Sequence, residues 1–193
     1  MPVELRVATK DDLPEIVDLH MRNLSGDLVD FGPSVVTKFY LNGFLKETLT
    51  VICASENEKI TGMAVFTFDE ASVFKENLVS SLYQKFELFL NANKLAFVKA
   101  LLRKMLNRDE GIDNGVSLLY LTVDKKSRGK GTGQKLLESG EKILFAKDIF
   151  RYHLQVKCSN VSAINFYLKY GFIITSHVES RNLLVLDKQL SIL

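Results

Sequence analysis

The sequence contains few of the residues that assign a chain to a specialised class. Its 193 residues include two cysteines, three histidines, three prolines and no tryptophan. Two cysteines, Cys53 and Cys158, are too few for a disulfide framework, so we expect a reducing, cytoplasmic compartment. The three histidines have no metal-ligand spacing, which predicts no metal site. No apolar run approaches the roughly 18 residues of a membrane span, and the N-terminus lacks the layout of a signal peptide.

An excess of charge of one sign is also missing. The net charge is +2, which on charge alone does not indicate binding to a nucleic-acid duplex. Apolar residues make up 47% of the chain and charged residues 25%, the balance of an ordinary globular protein. The length favours one domain over residues 1–193, with room for an insertion.

Residues 73–108 differ from the sequence around them. Their apolar residues have helical spacing, interrupted near 91–93. The segment contains seven basic residues and two acidic ones. We interpret the segment as an inserted amphipathic helical hairpin. It could cover the sheet or form a homodimer face. It could also be a docking surface for an anionic acceptor or for peripheral contact with a membrane.

The periodicity of the remaining chain predicts alternating strands and helices. Strands are expected at 3–8, 49–54, 60–68, 118–123, 152–156, 172–175 and 182–186. Pro14 and Pro33 each lie in the first turn of a predicted helix, and further helices are expected after Gly131 and after Ser159. An antiparallel front half followed by a β-α-β crossover predicts an α/β fold with a mixed, mostly antiparallel sheet and helices on both faces.

The most informative stretch is residues 118–137, a strand followed by a glycine-rich turn and a helix. Backbone N–H groups in such a turn, together with the helix N-terminus, can hold a phosphate. The spacing of Gly129, Gly131 and Gly133 fits neither the nucleoside-triphosphate loop nor the dinucleotide fingerprint. Arg128 and Lys130 add positive charge. The stretch therefore predicts a diphosphate cradle, the alternative being a flexible basic turn without a ligand.

A second motif, residues 160–172, follows the next strand. It reads Asn-x-x-Ala-x-x-Phe-Tyr-x-x-Tyr-Gly-Phe. Together with Arg128-x-x-Gly131-x-Gly133, it resembles the GNAT superfamily of acetyl-CoA-dependent N-acetyltransferases. The resemblance implies transfer of the acetyl group of acetyl-CoA to a primary amine of a small-molecule acceptor by direct attack, without a metal. A non-catalytic CoA-binding module and a protein N-acetyltransferase are the alternative functions.

The resemblance also implies roles for particular residues. The loop would bind the diphosphate, and the preceding strand would bind the pantetheine arm where it splays from the next strand near Leu154. Tyr167 would be the general acid, its alternative being a core aromatic side chain, and a backbone N–H near Val123 would stabilise the oxyanion. The implied cofactor-binding residues are Leu121, Thr122, Val123, Arg128, Gly129, Lys130, Gly131, Thr132, Gly133 and Asn160.

The acceptor side is less defined by the sequence. The resemblance places it near the first two helices and the last hairpin, where His20, Asn23 and Phe31 are candidate substrate residues. Strand 118–123 carries no carboxylate that could act as a general base. Candidates for the base are therefore Asp69, Glu70 and Glu179, a water chain, or an amine that is already neutral. Lys125 replaces a proline that is common before the family's arginine.

Overall fold

The computed structural model describes residues 3–68 and 115–191, whose strands form one mixed sheet. The strands are β1 (Glu4–Val7), β2 (Leu49–Glu56), β3 (Lys59–Thr67), β4 (Ser117–Val123), β5 (Arg151–Lys157), β6 (Ile173–Val178) and β7 (Leu183–Gln189). Their order is β1-β2-β3-β4-β5-β7-β6, with β4 and β5 parallel and the other neighbours antiparallel. The predicted fold class is confirmed. The predicted helical insertion at 73–108 lies outside the described residues.

Five helices connect these strands in the described part of the chain. They are α1 (Leu13–Asn23), α2 (Asp27–Asp30), α3 (Pro33–Leu45), α4 (Thr132–Phe145) and α5 (Val161–Lys169). The helix starts at Pro33 and after Gly131 agree with the prediction. The sequence did not predict the single turn α2, because the residues before it indicate only the end of the preceding helix. In the structure, Gly26 directly precedes α2 and has φ 123°.

The sheet is buried on both faces by helices. Alternate residues of β2 illustrate this, because Val51 packs in a core with Ile16 of α1 and Phe39 of α3, whereas Ile52 packs with Leu136 of α4. Side chains on successive strand residues point to opposite faces, so both sets must be apolar. This explains why β2 and β3 read as nearly continuous apolar runs.

Two glycines allow α4 to lie close against the sheet. A Cβ atom added to Gly140 would lie 2.3 Å from a ring carbon of the buried Phe66, a distance that requires the helix or the ring to move. A Cβ atom at Gly62 would lie 3.2 Å from Leu136 of α4, and the register of β2 and β3 shifts at the neighbouring Thr61. Gly62 therefore lies at a bulge and at a close approach of α4. The close packing fixes the N-terminus of α4 behind β4.

Candidate functional site

The sheet opens between β4 and β5. These parallel strands share one paired position, Ser117 with His153, where the His153 N–H donates to the Val116 carbonyl at 3.0 Å. Beyond it, β5 pairs along its whole length with β7, and β4 continues to Val123 without pairing to β5. The predicted splay near Leu154 is therefore observed. Beyond Ser117 one backbone edge of β4 is not paired with β5, and in the gap between the two strands, called the cleft below, an extended ligand could complete the hydrogen bonding.

A bulge in β4 lies at the start of this cleft. Val65 of β3 pairs with Tyr120, and the next residue, Phe66, pairs with Leu118, so that Leu119 is the extra residue. Bulges bend a strand and change the direction of its side chains. As a result, Leu119 and Tyr120 both pack toward α1 and α3, whereas Leu121 packs toward α4. Nothing in the sequence of β4, which has no glycine or proline, indicates this bulge.

The glycine loop adopts the conformation that an anion cradle requires. Gly131 is the N-cap residue of α4 and is left-handed, with φ 78° and ψ 4°, and Gly129 has φ 77°. A Cβ atom at either position would meet nothing within 4 Å, so open space lies above the loop. The free N–H groups of the first turn of α4 lie at this end of the helix. Only glycine adopts this backbone without strain.

The first residue of α4 supplies a further polar group. Thr132 is 2% exposed, and its Oγ1 has no hydrogen-bond partner within the described ranges. A buried hydroxyl without a partner is costly, and a ligand oxygen at the loop would satisfy it. Together, the open space, the helix N-terminus and this hydroxyl fit a bound diphosphate.

The loop is tied to the neighbouring strands by polar contacts that the sequence did not reveal. The Asp124 N–H donates to the Thr61 carbonyl at 2.7 Å, and the Ser127 N–H donates to the Asp124 carbonyl at 2.8 Å. The buried Ser127 hydroxyl donates to Glu56 at the end of β2 at 3.1 Å, and Lys130 approaches the same carboxylate at 3.4 Å. These contacts hold the loop in place before any ligand binds.

The basic residues predicted for the loop lie at its surface. Arg128 is exposed, and its Nε donates to the Val123 carbonyl at the end of β4 at 2.8 Å. Lys130 is exposed as well and is paired with Glu56. The Arg128 side chain therefore lies at the end of β4, and the Lys130 side chain at the end of β2.

Asp124 connects this loop to the first helix. Its Oδ1 accepts hydrogen bonds from Asn23 Nδ2 and from an Arg22 guanidinium nitrogen, both at 2.8 Å. Burial acts to raise the pKa of Asp124, but the hydrogen bonds from Asn23 and Arg22 outweigh it, so the pKa lies below its ordinary value. Asn23, a predicted substrate residue, is thus bonded to the residue that follows β4. The partners are about a hundred residues apart, and no local pattern joins them.

The other two predicted substrate residues differ in burial. His20 is 1% exposed, with its Nδ1 at 2.8 Å from the Tyr40 hydroxyl and its ring edge-on to that of Tyr120 at 4.8 Å between centroids. Burial lowers the pKa of His20 to about 4, so the ring is neutral at pH 7. Phe31, which follows α2, is half-buried. Their contact with an acceptor stays a prediction.

The buried imidazole makes the stability of the protein depend on pH. In the unfolded chain His20 has its ordinary pKa near 6.5, so between about pH 6.5 and 4 the unfolded state binds more protons. The contribution of the buried neutral His20 ring to the free energy of unfolding is therefore complete above pH 6.5. It falls as the pH decreases toward 4, by at most about 1.4 kcal/mol per pH unit. The free energies of unfolding of the wild type and of His20→Asn, measured in urea, should therefore converge as the pH falls from 6.5 to 4. Parallel curves from pH 8 to 4 would contradict this expectation.

The second motif forms α5 and its two ends. Asn160 is the N-cap residue, and its Oδ1 accepts a hydrogen bond from the Ala163 N–H at 3.2 Å. Gly171, at φ 83°, follows the helix and turns the chain into β6. Asn160 is exposed, and its Nδ2 makes no hydrogen bond to a described residue. The amide can therefore cap the helix and donate to a ligand at once.

Tyr167 lies on the buried side of α5. It is 9% exposed, and its ring packs between those of Phe166 at 5.4 Å and Phe172 at 5.3 Å. It belongs to the same core as Leu154, beside which β4 and β5 separate. Burial raises the pKa of Tyr167, so the phenol keeps its proton at neutral pH. Within the described part of the chain, its hydroxyl makes no hydrogen bond.

Among residues 3–68 and 115–191, no three histidine, cysteine, aspartate or glutamate side chains come together as metal ligands would. None of the helices in these ranges has the length and apolar character needed to cross a membrane.

Comparison with solved structures finds the same fold at low sequence identity. The PaiA N-acetyltransferase of Thermoplasma acidophilum, in complex with coenzyme A, has a TM-score of 0.66 and 16% identity over 98% of this chain and 99% of that chain. The ribosomal-protein-S18-alanine N-acetyltransferase of Escherichia coli has a TM-score of 0.63 and 14% identity over 100% of this chain and 96% of that chain. A structure of the NatC complex bound to Gag peptide and CoA has a TM-score of 0.61 and 15% identity over 99% of this chain and 100% of that chain. No curated protein matches the chain.

The fold is the one that these N-acetyltransferase structures share. The model of the acetyltransferase (GNAT) family matches residues 13–172, so the chain belongs to this family. Acetyl-CoA is accordingly its co-substrate, and its activity is that of an acyl-CoA N-acyltransferase. The predicted family and co-substrate are confirmed. The structural relatives leave the acceptor open, because they include a ribosomal-protein-S18-alanine N-acetyltransferase and an IAA acetyltransferase of Bacillus cereus.

Proposed function

We propose that this protein transfers the acetyl group of acetyl-CoA to a primary amine of a small-molecule acceptor by direct attack. The observation that carries the proposal is the single pairing of β4 with β5 at Ser117, beyond which the open edge of β4 leads to the loop at Gly131. A cleft in which the edge of β4 is not paired with β5, and which has an anion cradle at its end, suits a long ligand with an internal diphosphate.

We propose that the co-substrate is held by the residues that the family resemblance implied, and the geometry of the loop and of β4 supports this. The N–H groups of residues 129–133, the Thr132 hydroxyl and the Arg128 guanidinium would bind the diphosphate. The backbone of residues 121–123 would hydrogen-bond the arm as an added strand, and Asn160 would donate from its Nδ2, which makes no hydrogen bond to a described residue. Lys130 would add positive charge beside the loop.

Acetyl-CoA supplies an activated thioester, whose departing sulfur needs a proton. Tyr167 carries a proton that burial keeps in place, and no described residue uses its hydroxyl as a partner. A departing thiolate in the same apolar surroundings also has a raised pKa, so it accepts a proton more readily than it would in water. We assign Tyr167 the role of general acid, and the backbone N–H near Val123 the role of stabilising negative charge on the carbonyl oxygen.

The acceptor is proposed to lie on the α1 and α3 side of β4. There the bulge directs Tyr120 toward the neutral ring of His20, so these two side chains place no positive charge that would repel an amine. β4 carries no carboxylate, and Glu179 is exposed in the turn between β6 and β7. Asp69 and Glu70 lie outside the described residues. We therefore propose that the amine reacts in its neutral form or loses its proton to water.

A turnover assay tests this proposal. The protein and acetyl-CoA are mixed with a panel of primary amines, including amino sugars, polyamines and amino acids, and with peptides that have free N-termini. Release of the CoA thiol is followed over time. We expect acceptor-dependent release with at least one small amine, and formation of the acetylated amine by mass spectrometry. Turnover with peptides alone would indicate a protein N-acetyltransferase. Binding of acetyl-CoA without any turnover would indicate a non-catalytic module.

A further inference from the structure

A chain of side-chain hydrogen bonds joins the start of α4 to the end of α5. The Tyr170 hydroxyl donates to Gln134 Oε1 at 2.8 Å, and Gln134 Nε2 donates to Glu138 at 2.7 Å. We propose that this Tyr170–Gln134 link is a positioning device that sets Tyr167 relative to the diphosphate loop. The inference rests on the proposed role of Tyr167 as general acid.

The two ends of the link lie at the two halves of the site. Gln134 is in the first turn of α4, one residue beyond Gly133 of the loop motif. Tyr170 is the C-cap residue of α5, and its own N–H donates to the Tyr167 carbonyl at 3.0 Å. A short path of hydrogen bonds therefore runs from the helix at the loop to the backbone of Tyr167.

The direction of the hydrogen bonds is fixed by chemistry. The carboxylate of Glu138 only accepts hydrogen bonds, so the amide nitrogen of Gln134 must face it. The amide oxygen of Gln134 is then the atom that meets Tyr170, which must donate. Since Gln134 and Glu138 are four residues apart on one helix, the pair also holds the Gln134 side chain in a single orientation.

The helices are in direct contact at this point. A Cβ atom at Gly133 would lie 3.4 Å from the ring of Phe166, the neighbour of Tyr167. The ring of Phe166 packs against that of Tyr170 at 4.6 Å between centroids. Removing the Tyr170 hydroxyl leaves this ring contact in place. Tyr170→Phe therefore isolates the hydrogen bond from the packing.

The same helix offers a matched control at its other end. The Tyr152 hydroxyl of β5 donates to Glu141 of α4 at 2.6 Å, which ties the later part of α4 to the sheet. Both tyrosines thus tether α4 through one hydroxyl, but only Tyr170 is bonded to the backbone of Tyr167. If a tether merely stabilises the fold, the two replacements should affect turnover alike.

The test is a double-mutant cycle read out in kcat, in KM for acetyl-CoA and in urea stability. The proteins are the wild type, Tyr170→Phe, Tyr167→Phe, the double variant and Tyr152→Phe, each assayed with the best amine from the panel. We expect Tyr170→Phe to lower kcat roughly tenfold with KM for acetyl-CoA unchanged, because a small displacement of a catalytic group is costly. In the Tyr167→Phe background it should lower kcat no further, and Tyr152→Phe should leave kcat unchanged.

Three results would overturn the inference while the function stands. They are an unchanged kcat in Tyr170→Phe, an equal loss in both backgrounds, and an equal loss in Tyr152→Phe. If instead Tyr167→Phe alone retains full turnover, the proposed general acid is wrong, and the positioning role is refuted with it. Gln134→Leu, which removes the acceptor of the same hydrogen bond, should reproduce the Tyr170→Phe result.

Discussion

Replacement of Tyr167 by phenylalanine is expected to lower kcat for acetyl transfer about 100-fold or more. The reason is that Tyr167 is the buried phenol on α5 whose hydroxyl has no partner among the described residues, and whose proton burial retains. The dissociation constant for acetyl-CoA should not change, because the predicted contacts with the co-substrate lie on the loop, β4 and Asn160. Steady-state kinetics with a calorimetric titration of acetyl-CoA separate the two effects.

Tyr152→Phe is the control for this experiment. Its hydroxyl is bonded to Glu141, so its removal should cost about 1–2 kcal/mol of unfolding free energy and leave kcat unchanged. Tyr167→Phe should show the reverse, with little loss of stability, since no described hydrogen bond is removed. If Tyr167→Phe unfolds more readily but turns over as fast as the wild type, Tyr167 is a core residue and the acid must be sought elsewhere.

Gly131→Ala is expected to weaken acetyl-CoA binding by more than tenfold. Alanine at φ 78° is strained by about 1–2 kcal/mol, and nothing within 4 Å obstructs its Cβ, so the change acts on the backbone alone. Relief of that strain turns the N–H groups of the loop away from the diphosphate, and each hydrogen bond to a charged oxygen contributes about 1.5–3 kcal/mol. Calorimetry with acetyl-CoA measures the loss directly.

Gly32→Ala is a matched control in the same chain. Gly32 is also an N-cap residue with positive φ, at 92°, and a Cβ atom there would likewise meet nothing within 4 Å. Its ψ of 170° is even less accessible to alanine, so the loss of thermal stability should be at least as large. Acetyl-CoA affinity should stay at the wild-type value. An equal loss of affinity in both variants would mean that Gly131 acts through stability and not through the loop.

The sequence predicted the parts of this molecule whose causes are local. The strand–glycine–helix order around Gly131 follows from residues within twenty positions of each other, and so does the N-cap at Asn160. The burial of β2 and β3 on both faces accords with their nearly continuous apolar runs, which the composition of these strands already shows.

What the sequence did not reveal depends on contacts between distant segments. The bonds from Arg22 and Asn23 to Asp124, and from Ser127 to Glu56, join residues far apart in the chain. The bulge at Leu119 arises from pairing with β3 and has no glycine to mark it.

His20 is a different case, because a local signal for its burial was present. It lies four residues after Ile16 on the same face of α1, so its burial follows from the helical period. The resemblance made it a candidate substrate residue, and the structure shows that its ring is buried against Tyr40 and Tyr120.

The most direct test of the account is a calorimetric titration of acetyl-CoA into the wild-type protein. The account requires that the loop at 129–133 and the open edge of β4 bind the diphosphate and the arm of this molecule. We expect one site per chain and a dissociation constant between about 1 µM and 1 mM, the range of ordinary enzyme substrates. The absence of binding at millimolar acetyl-CoA, in a protein shown to be folded, would contradict the account.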